Sequence, residues 1–287
     1  MTAAAGELPA LVTGATGPHG RAVTLALLSA GRPVRAFTRD PTSARAGELA
    51  VLGAELAKGD LLDAASLTEA MRGTSAVYAV TTPFGGGARA ELAQGEQILA
   101  AAARAQVPWL VLASVASADR SSGVPHFESK WQIEQRLASA ELPHTVVAPT
   151  YFYENLGDPR EKIADGEVAL PLPPDQPLQQ IALADLGAAV ASLLTRQREF
   201  IGQRIELAGD QPTPQQMADA LSAAAARPVR YRQLSLDTIA TRNPDLAAMY
   251  RFLTDTGYQV DVPAVQAQFP DVTWTTFTQW VDSATIR

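Results

Sequence analysis

The 287-residue chain contains no cysteine. This absence excludes disulfides, Cys-ligated zinc, iron–sulfur clusters and thiol nucleophiles. Its three histidines, His19, His126 and His144, are too scattered to suggest a set of metal ligands. We therefore expect no metal in the functional site.

Long apolar runs and basic runs are also missing. No stretch reaches the roughly 18 uninterrupted apolar residues of a membrane-spanning helix, and residues 1–7 lack the basic and apolar regions of a signal peptide. These features predict a cytoplasmic protein without membrane attachment. With a net charge of −7 and no Lys/Arg run, the chain is not expected to bind nucleic acid. Hydrophobic residues make up 47% and charged residues 18%, which is ordinary for a globular enzyme.

The first 150 residues alternate strand-like and helix-like patterns. Apolar runs predict strands over Pro9–Thr13, Pro33–Thr38, Glu55–Lys58, Ala76–Thr81, Trp109–Ala113 and Thr145–Ala148. Helical patterns lie between them, over Gly20–Ala30, Thr42–Leu52, Ala64–Met71, Ala88–Ala105 and Ser129–Ala140. This alternation predicts an α/β fold, a Rossmann-type doubly wound parallel sheet.

The rhythm changes after Pro149. Residues 158–177 are rich in proline and charge and predict a loop with a short strand near Val168–Leu170. A helix over Ala184–Thr195, a strand over Arg204–Leu207 and a series of helical patterns from Pro214 onwards follow. We predict a Rossmann domain over residues 1–155, completed by part of residues 178–210. Residues 156–287 would form a smaller, mostly helical C-terminal lobe at the carboxyl ends of the strands.

A glycine-rich segment, TGATGPHG, joins the first predicted strand to the first helix. It spaces Gly14, Gly17 and Gly20 three residues apart, which lets a pyrophosphate approach the backbone and the helix N-terminus. Pro18 suits the first helical turn, where its missing N–H costs nothing. The segment predicts a dinucleotide site lined by Gly14, Thr16, Gly17, Pro18, His19 and Gly20. The alternative is a turn that serves only helix–strand packing.

The choice between NAD and NADP depends on the residues that follow the second strand. An acidic residue there binds the ribose hydroxyls of NAD, whereas arginine accommodates the 2′-phosphate of NADP. Arg39 follows Thr38 directly, and we interpret it as a phosphate ligand, although a solvated arginine also fits. Asp40, followed by Pro41, is interpreted as a helix N-cap. The sequence therefore favours NADP(H) over NAD(H).

Two further segments fall at the ends of predicted strands. Asp60 and Leu61 follow the third strand and are placed to flank an adenine ring, with a helix cap as the alternative for Asp60. Thr81, Thr82 and Pro83 end the fourth strand, where the backbone would pass the nicotinamide.

Five motifs in order resemble the NmrA-like branch of the atypical short-chain dehydrogenase/reductases. They are TGATGPHG, the arginine after the second strand, GDLLD, HFESKWQIEQRL and APTYFYENL. The resemblance is strong over about residues 8–160 and weak beyond. It implies a Rossmann fold, a nicotinamide cofactor, and either a reductase or a cofactor-sensing regulator.

The resemblance also implies roles for residues near the nicotinamide. The usual Tyr–x–x–x–Lys pair appears here as His126 and Lys130, so lysine is present and tyrosine is not. Lys130 would bind the nicotinamide ribose, and His126 is either a proton donor or a structural helix-end histidine. Ser114 takes the place of the family's active-site serine. Tyr151 and Phe152 would lie beside the nicotinamide, with Tyr151 as another candidate proton donor.

Two functions from different classes remain open. One is an NADPH-dependent reductase acting by hydride transfer on a quinone-like, enone or other apolar conjugated molecule. The other is a non-catalytic sensor that binds NADP(H) and a protein partner. An isomerase or epimerase has less support without the usual tyrosine. A monomer or a homodimer is expected, and we favour the enzyme.

Overall fold

The computed structural model describes residues 7–285 of the chain. Residues 1–6, most of the segment searched for a signal peptide, and residues 286–287 lie outside the described part. Among the described helices, none is both long enough and apolar enough to cross a membrane.

The strands, in chain order, are β1 Ala10–Val12, β2 Val34–Thr38, β3 Glu55–Lys58, β4 Ala76–Ala79, β5 Leu110–Ala113, β6 His144–Pro149, β7 Tyr151–Phe152, β8 Glu167–Leu170, β9 Gln180–Ile181, β10 Arg204–Leu207 and β11 Arg230–Gln233. The α-helices are α1 Pro18–Ser29, α2 Ala44–Val51, α3 Ala64–Met71, α4 Gly87–Ala105, α5 Pro125–Ala138, α6 Pro159–Asp165, α7 Leu183–Thr195, α8 Gln197–Phe200, α9 Pro214–Ala225, α10 Leu236–Arg242, α11 Pro244–Asp255, α12 Val262–Gln268 and α13 Phe277–Thr285. Two 3₁₀ helices cover Ala118–Arg120 and Tyr153–Leu156.

The central sheet has seven strands in the order β10-β6-β5-β4-β1-β2-β3. Strand β1 runs parallel to both neighbours, β2 and β4. The strand order reverses between β1 and β4, which is the point where doubly wound sheets bind ligands at their carboxyl ends. The predicted Rossmann-type fold is confirmed, and the predicted strand Arg204–Leu207 supplies the seventh strand.

The sheet strands are apolar because helices cover them. The β1 residues Ala10–Val12 are all buried, as are the four residues of β5. One buried cluster combines side chains of the strands with side chains of α3, α4 and α5. It includes Leu11, Leu67, Ile98, Leu110 and Ile133. Helix α7 comes close to α1, since a Cβ on Gly187 would lie 2.5 Å from the Ala22 carbonyl oxygen.

The described chain divides into two compact units. The first comprises the residues up to Val115, together with Glu128–Ala148 and Leu186–Ile205. The second comprises Ala116–Phe127, Pro149–Asp185 and the residues from Glu206 onwards. The predicted domain boundary at residue 155 stays a prediction.

The second unit contains helices α6 and α9–α13 and two parallel two-stranded sheets, β8 with β11 and β7 with β9. The loop predicted over residues 158–177 is wrong over Pro159–Asp165, which form α6. Asp158 caps this helix by accepting a hydrogen bond from the Arg160 amide, and Gly166 ends it in the left-handed conformation. The helix has seven residues and little apolar periodicity, so only its caps signal it in the sequence.

Candidate functional site

The turn between β1 and α1 carries the three glycines of the predicted phosphate loop. Gly14 has a φ of +61°, a conformation that residues with a Cβ rarely adopt. A Cβ on Gly20 would lie 2.4 Å from the Gly14 carbonyl oxygen and 2.7 Å from the Thr13 carbonyl oxygen. Glycine at these two positions therefore lets α1 begin in direct contact with the end of β1.

Helix α1 begins without a capping side chain. Gly17 is the N-cap residue, its backbone is extended, and Pro18 occupies the first turn. The first amides of a helix have no partner within the helix and carry a partial positive charge. A Cβ on Gly17 would meet the Gly14 carbonyl oxygen at 3.3 Å, so even this small group would crowd the turn. The half-buried Thr16 lies between these glycines in the same turn, and these features fit a diphosphate group.

His19 lies in the same turn, and its ring contacts Tyr78 of β4. The His19 Nε2 atom is 2.7 Å from the Tyr78 hydroxyl oxygen. Burial lowers the pKa of His19 from 6.5 to about 3, and the positive charge of Lys130 acts in the same direction. His19 is therefore a neutral ring near pH 7.

Arg39 is exposed directly after β2 and has no hydrogen-bond or ion-pair partner among residues 7–285. The interpretation of Asp40 as the helix cap is wrong. Ser43 caps α2 by accepting from the Ala46 amide, whereas Asp40 Oδ1 accepts from the Thr42 amide at 2.9 Å and the Thr42 hydroxyl at 2.6 Å. The chain makes this short turn before the helix starts, so the cap lies three residues later than expected.

Lys58 is a second basic residue in this region that no sequence motif identifies. It ends β3 and pairs in register with Thr38, the residue before Arg39. The pKa of Asp40 is lowered mainly by its bonds to Thr42 and further by the charge of Lys58. Finding Lys58 from sequence would have required knowing that β3 lies beside β2.

Asp60 and Leu61 follow β3 as predicted, but Asp60 does not cap the next helix. Asp63 caps α3 by accepting from the Ala65 amide. The Asp60 carboxylate instead accepts a hydrogen bond of 2.9 Å from the Leu62 amide. Asp60 is exposed and Leu61 is half-buried, so both border the carboxyl edge of the sheet.

Thr81, Thr82 and Pro83 follow β4, and side chains of α4 hold this segment. The Thr81 hydroxyl donates to Glu91 at 2.9 Å, and the Thr82 amide donates to Gln94 at 2.9 Å. Thr81 is buried, while Thr82 and Pro83 are half-buried. The segment is thus fixed at its first two residues.

Lys130 forms an ion pair with a carboxylate that no sequence motif identifies. Its Nζ atom lies 2.8 Å from Oε1 of Glu91, whose side chain is 0% exposed. The Ser129 hydroxyl donates to Glu91 Oε2 at 2.5 Å. In the sequence, Glu91 is one acidic residue on an Ala-rich helix, 39 positions from Lys130, so no local pattern identified it.

Ser114 donates its hydroxyl proton to Oε1 of Glu134. Glu134 also accepts from Nε of Arg204 at 2.8 Å, and Arg204 donates to the Val115 carbonyl oxygen at 3.1 Å. Ser114 and Glu134 are both buried. The hydroxyl of Ser114 therefore belongs to a carboxylate–arginine network inside the first unit.

His126 lies in the first turn of α5, which begins four residues earlier than predicted. Its Nδ1 atom is 2.6 Å from Oδ1 of Asp245 in α11, and its ring meets Phe127 edge-on. A carboxylate bonded to one ring nitrogen fixes the orientation of an imidazole. This geometry suits both a structural histidine and an oriented proton donor.

Tyr151 is buried, and its hydroxyl lies 2.8 Å from the hydroxyl of Tyr250. Burial, and then the neighbouring Tyr250, raise the pKa of Tyr151 well above its usual value. Phe152 is half-buried and pairs with Ile181 of β9. Tyr153 is fully buried and packs against aromatic rings of α13, so its role in the second unit is packing.

The predicted site residues divide between the two units. The first unit contains the glycine turn, the ends of β2, β3 and β4, Ser114 and Lys130. His126, Tyr151 and Phe152 belong to the second unit. Within the first unit, the sheet order places the ends of β4, β1, β2 and β3 side by side at one edge.

Comparison with protein families identifies the group to which this fold and glycine turn belong. The model of the NmrA-like family matches residues 9–281. The chain belongs to the NmrA-like family. The resemblance noted from the sequence motifs is thereby confirmed, and it extends well beyond residue 160.

Curated relatives of this NmrA-like chain include two named reductases. An NAD(P)H azoreductase of Xenophilus azovorans is 31% identical over 229 residues, covering 79% of this chain and 77% of the relative. A (4-alkanoyl-5-oxo-2,5-dihydrofuran-3-yl)methyl phosphate reductase of Streptomyces griseus is 31% identical over 236 residues, covering 80% and 79%.

Among solved structures, the NADPH-dependent quinone oxidoreductase QOR2 of Escherichia coli, complexed with NADPH, is similar over nearly its whole length. Its TM-score is 0.80 at 25% sequence identity, and the similarity covers 96% of this chain and 99% of that one. Named NAD(P)H-dependent oxidoreductases are thus relatives of this NmrA-like protein in both sequence and fold.

Proposed function

We propose that this NmrA-like protein is an NADP(H)-dependent reductase that acts on a quinone-like, enone or other apolar conjugated molecule. The observation that carries the proposal is the glycine turn, where Gly14, Gly17 and Gly20 bring an uncapped helix N-terminus against the end of β1. The named reductases among its relatives support the same activity.

Arg39 and Lys58 support NADP(H) as the cofactor. Arg39 is exposed and unpaired among the described residues, and Lys58 ends the neighbouring strand. Two cations at this corner suit the 2′-phosphate, because their hydrogen bonds to a charged phosphate are stronger than those to a neutral ribose hydroxyl.

The remaining first-unit residues have roles that follow the path of a dinucleotide along the sheet edge. Gly14, Thr16, Gly17, Pro18, His19 and Gly20 would surround the diphosphate. Asp60 and Leu61 would border the adenine, and Thr81, Thr82 and Pro83 the nicotinamide. Ser114 would lie further along this edge, and Lys130 would donate to the nicotinamide ribose.

A bound NADPH supplies a hydride from C4 of its nicotinamide, and reduction of the acceptor also requires one proton. His126 is our first candidate donor because Asp245 orients its ring. Tyr151 is the second candidate, although its raised pKa makes its proton harder to release. Phe152, half-buried next to Tyr151, would provide an apolar wall.

The acceptors in the relatives' names support the proposed substrate class. The azoreductase and the quinone oxidoreductase are named for acceptors with conjugated double bonds. Such acceptors need little acid catalysis from a protein, so the missing tyrosine of the usual Tyr–x–x–x–Lys pair is compatible with their reduction. We propose a small apolar or aromatic acceptor of this kind.

The experiment that tests the proposal follows NADPH consumption at the absorbance of reduced nicotinamide, with a panel of quinones, enones and azo dyes. We expect consumption with at least one acceptor and a clear preference for NADPH over NADH. Tight NADPH binding without consumption by any acceptor would favour the cofactor-sensing regulator with a protein partner. Absence of binding by folded protein would refute both functions.

A further inference from the structure

We propose that Glu91 is a positioning residue that holds the Lys130 ammonium where the nicotinamide ribose binds. This inference rests on the proposed function and extends it to a residue of α4 without any sequence motif. The structural basis is a buried carboxylate bonded to Lys130, Thr81 and Ser129.

Glu91 of α4 binds groups from two other elements. Its Oε1 atom accepts from Lys130 Nζ at 2.8 Å and from the Thr81 hydroxyl at 2.9 Å, and its Oε2 atom accepts from the Ser129 hydroxyl at 2.5 Å. Thr81 follows β4, and Ser129 and Lys130 belong to α5. The carboxylate thus fixes the distance between α5 and the end of β4.

The energetics of burial make this arrangement specific. Glu91 is 0% exposed, and a buried carboxylate is tolerated only when it is paired and hydrogen-bonded. Lys130 supplies the compensating charge, so its side chain cannot swing freely into solvent as a surface lysine does. Its side chain is 13% exposed, so Lys130 is largely but not fully enclosed.

The donor count of Lys130 indicates what its ammonium can still bind. An ammonium has three N–H donors. One lies 2.8 Å from Glu91 and a second makes a long contact of 3.4 Å with Thr81, and the third has no partner among residues 7–285. The Lys130 charge also depresses the pKa of His19, after burial, so the ammonium acts on the glycine turn. A ribose hydroxyl is a suitable acceptor for the remaining donor.

A double-mutant cycle tests the inference through the Kd for NADPH. Glu91→Gln preserves shape and removes the charge that holds Lys130. We expect it to weaken NADPH binding about tenfold, which corresponds to about 1.4 kcal/mol. In a Lys130→Ala background the same substitution should change the Kd less than twofold, because the group it positions is gone.

The matched control is Glu96→Gln on the same helix. Glu96 also pairs with a basic residue of α5, Arg136, at 2.7 Å, but both side chains are well exposed. Loss of such an exposed pair should leave NADPH binding unchanged.

The outcomes separate this inference from the proposed function. If the parent protein binds NADPH and Lys130→Ala weakens binding, but Glu91→Gln does not, the positioning role is refuted and the function stands. An equal loss from Glu91→Gln with and without Lys130 refutes it too, since that is the behaviour of a purely structural residue. If the parent does not bind NADPH, both fail together.

Should Glu91→Gln fail to fold, Ser129→Ala decides the question. This variant removes one of the three bonds to Glu91 and leaves the ion pair. We expect this substitution to weaken NADPH binding two- to threefold, and we expect no such effect in the Lys130→Ala background. No change in the presence of Lys130 would refute the inference.

Discussion

Replacing Gly20 with alanine tests the physical basis of the candidate dinucleotide site. The added Cβ would lie 2.4 Å from the Gly14 carbonyl oxygen, 2.6 Å from the Gly14 carbonyl carbon and 2.7 Å from the Thr13 carbonyl oxygen. All three are backbone atoms, so no side chain can rotate away. Since ordinary contact begins near 3.4 Å, α1 must move from β1 by about 1 Å.

The magnitude follows from two opposing terms. Alanine in place of glycine stabilises a helix by about 1 kcal/mol, whereas overpacking typically costs about 1–3 kcal/mol. Because the obstacle is backbone, we expect the upper end of that range and a net loss of about 2 kcal/mol. A displacement of about 1 Å in a positioned group can cost about 100-fold in function, so NADPH binding should fall by at least tenfold.

The assay combines thermal unfolding with NADPH titration, and Gly47→Ala is its control. Gly47 is exposed in α2, and a Cβ there would meet nothing within 4 Å. Its replacement should stabilise the protein by about 0.5–1 kcal/mol without affecting the Kd. The Tm should therefore fall for Gly20→Ala, by roughly 3 °C, and rise for Gly47→Ala. A Gly20→Ala protein that matches the parent in both Tm and Kd would refute the reasoning.

Three further predictions concern the charged and titratable groups of the site. Arg39→Ala should weaken NADPH binding about tenfold or more and leave NADH binding nearly unchanged. The control Arg45→Ala, at another exposed arginine, should leave the binding of both cofactors nearly unchanged. Equal losses for NADPH and NADH in Arg39→Ala would contradict a phosphate role. The pKa of His19 is lowered from 6.5 to about 3, so the unfolded chain binds more protons than the folded chain between these pH values. The contribution of the neutral His19 to the free energy of unfolding is therefore complete above pH 6.5 and is lost as the pH falls towards 3. Urea unfolding at pH 8 and pH 5 should show about 1–2 kcal/mol of this loss, and His19→Gln should remove that share of it. Finally, His126→Asn should reduce kcat with little change in KM for NADPH, and by more than Tyr151→Phe does; the reverse order would favour the tyrosine as proton donor.

Much of the fold could be predicted from the sequence because its elements are long and periodic. The six strands and five helices of the first 150 residues were predicted to within a few residues at most ends, since parallel strands covered on both faces are apolar throughout. Helix α6 was missed because seven residues are too few to show a period. The predicted N-cap of α2 is wrong because Asp40 and Ser43 both suit an N-cap. Only the structure shows that Ser43 accepts the hydrogen bond from a helical amide.

The candidate site can be predicted from the sequence where one short segment contains its residues. The glycine turn is such a segment, since its spacing predicts a turn between strand and helix, and Gly14 has a positive φ that glycine adopts readily. Glu91 and Lys58 were not predictable in this way. Each is identified by a partner on another element, Lys130 for Glu91 and Thr38 for Lys58. Identifying either residue therefore requires the packing of the sheet and helices.

Two buried carboxylates of the first unit bind side chains that are predicted to contact the cofactor. Glu91 holds Lys130, and Glu134 accepts the hydroxyl proton of Ser114. The consequences differ because an ammonium has three protons and a hydroxyl has one. Lys130 can donate to Glu91 and to a ribose at once, whereas the single hydroxyl hydrogen of Ser114 is already bonded to Glu134, which Arg204 also contacts. While the bond to Glu134 is kept, Ser114 can therefore interact with a ligand only as a hydrogen-bond acceptor.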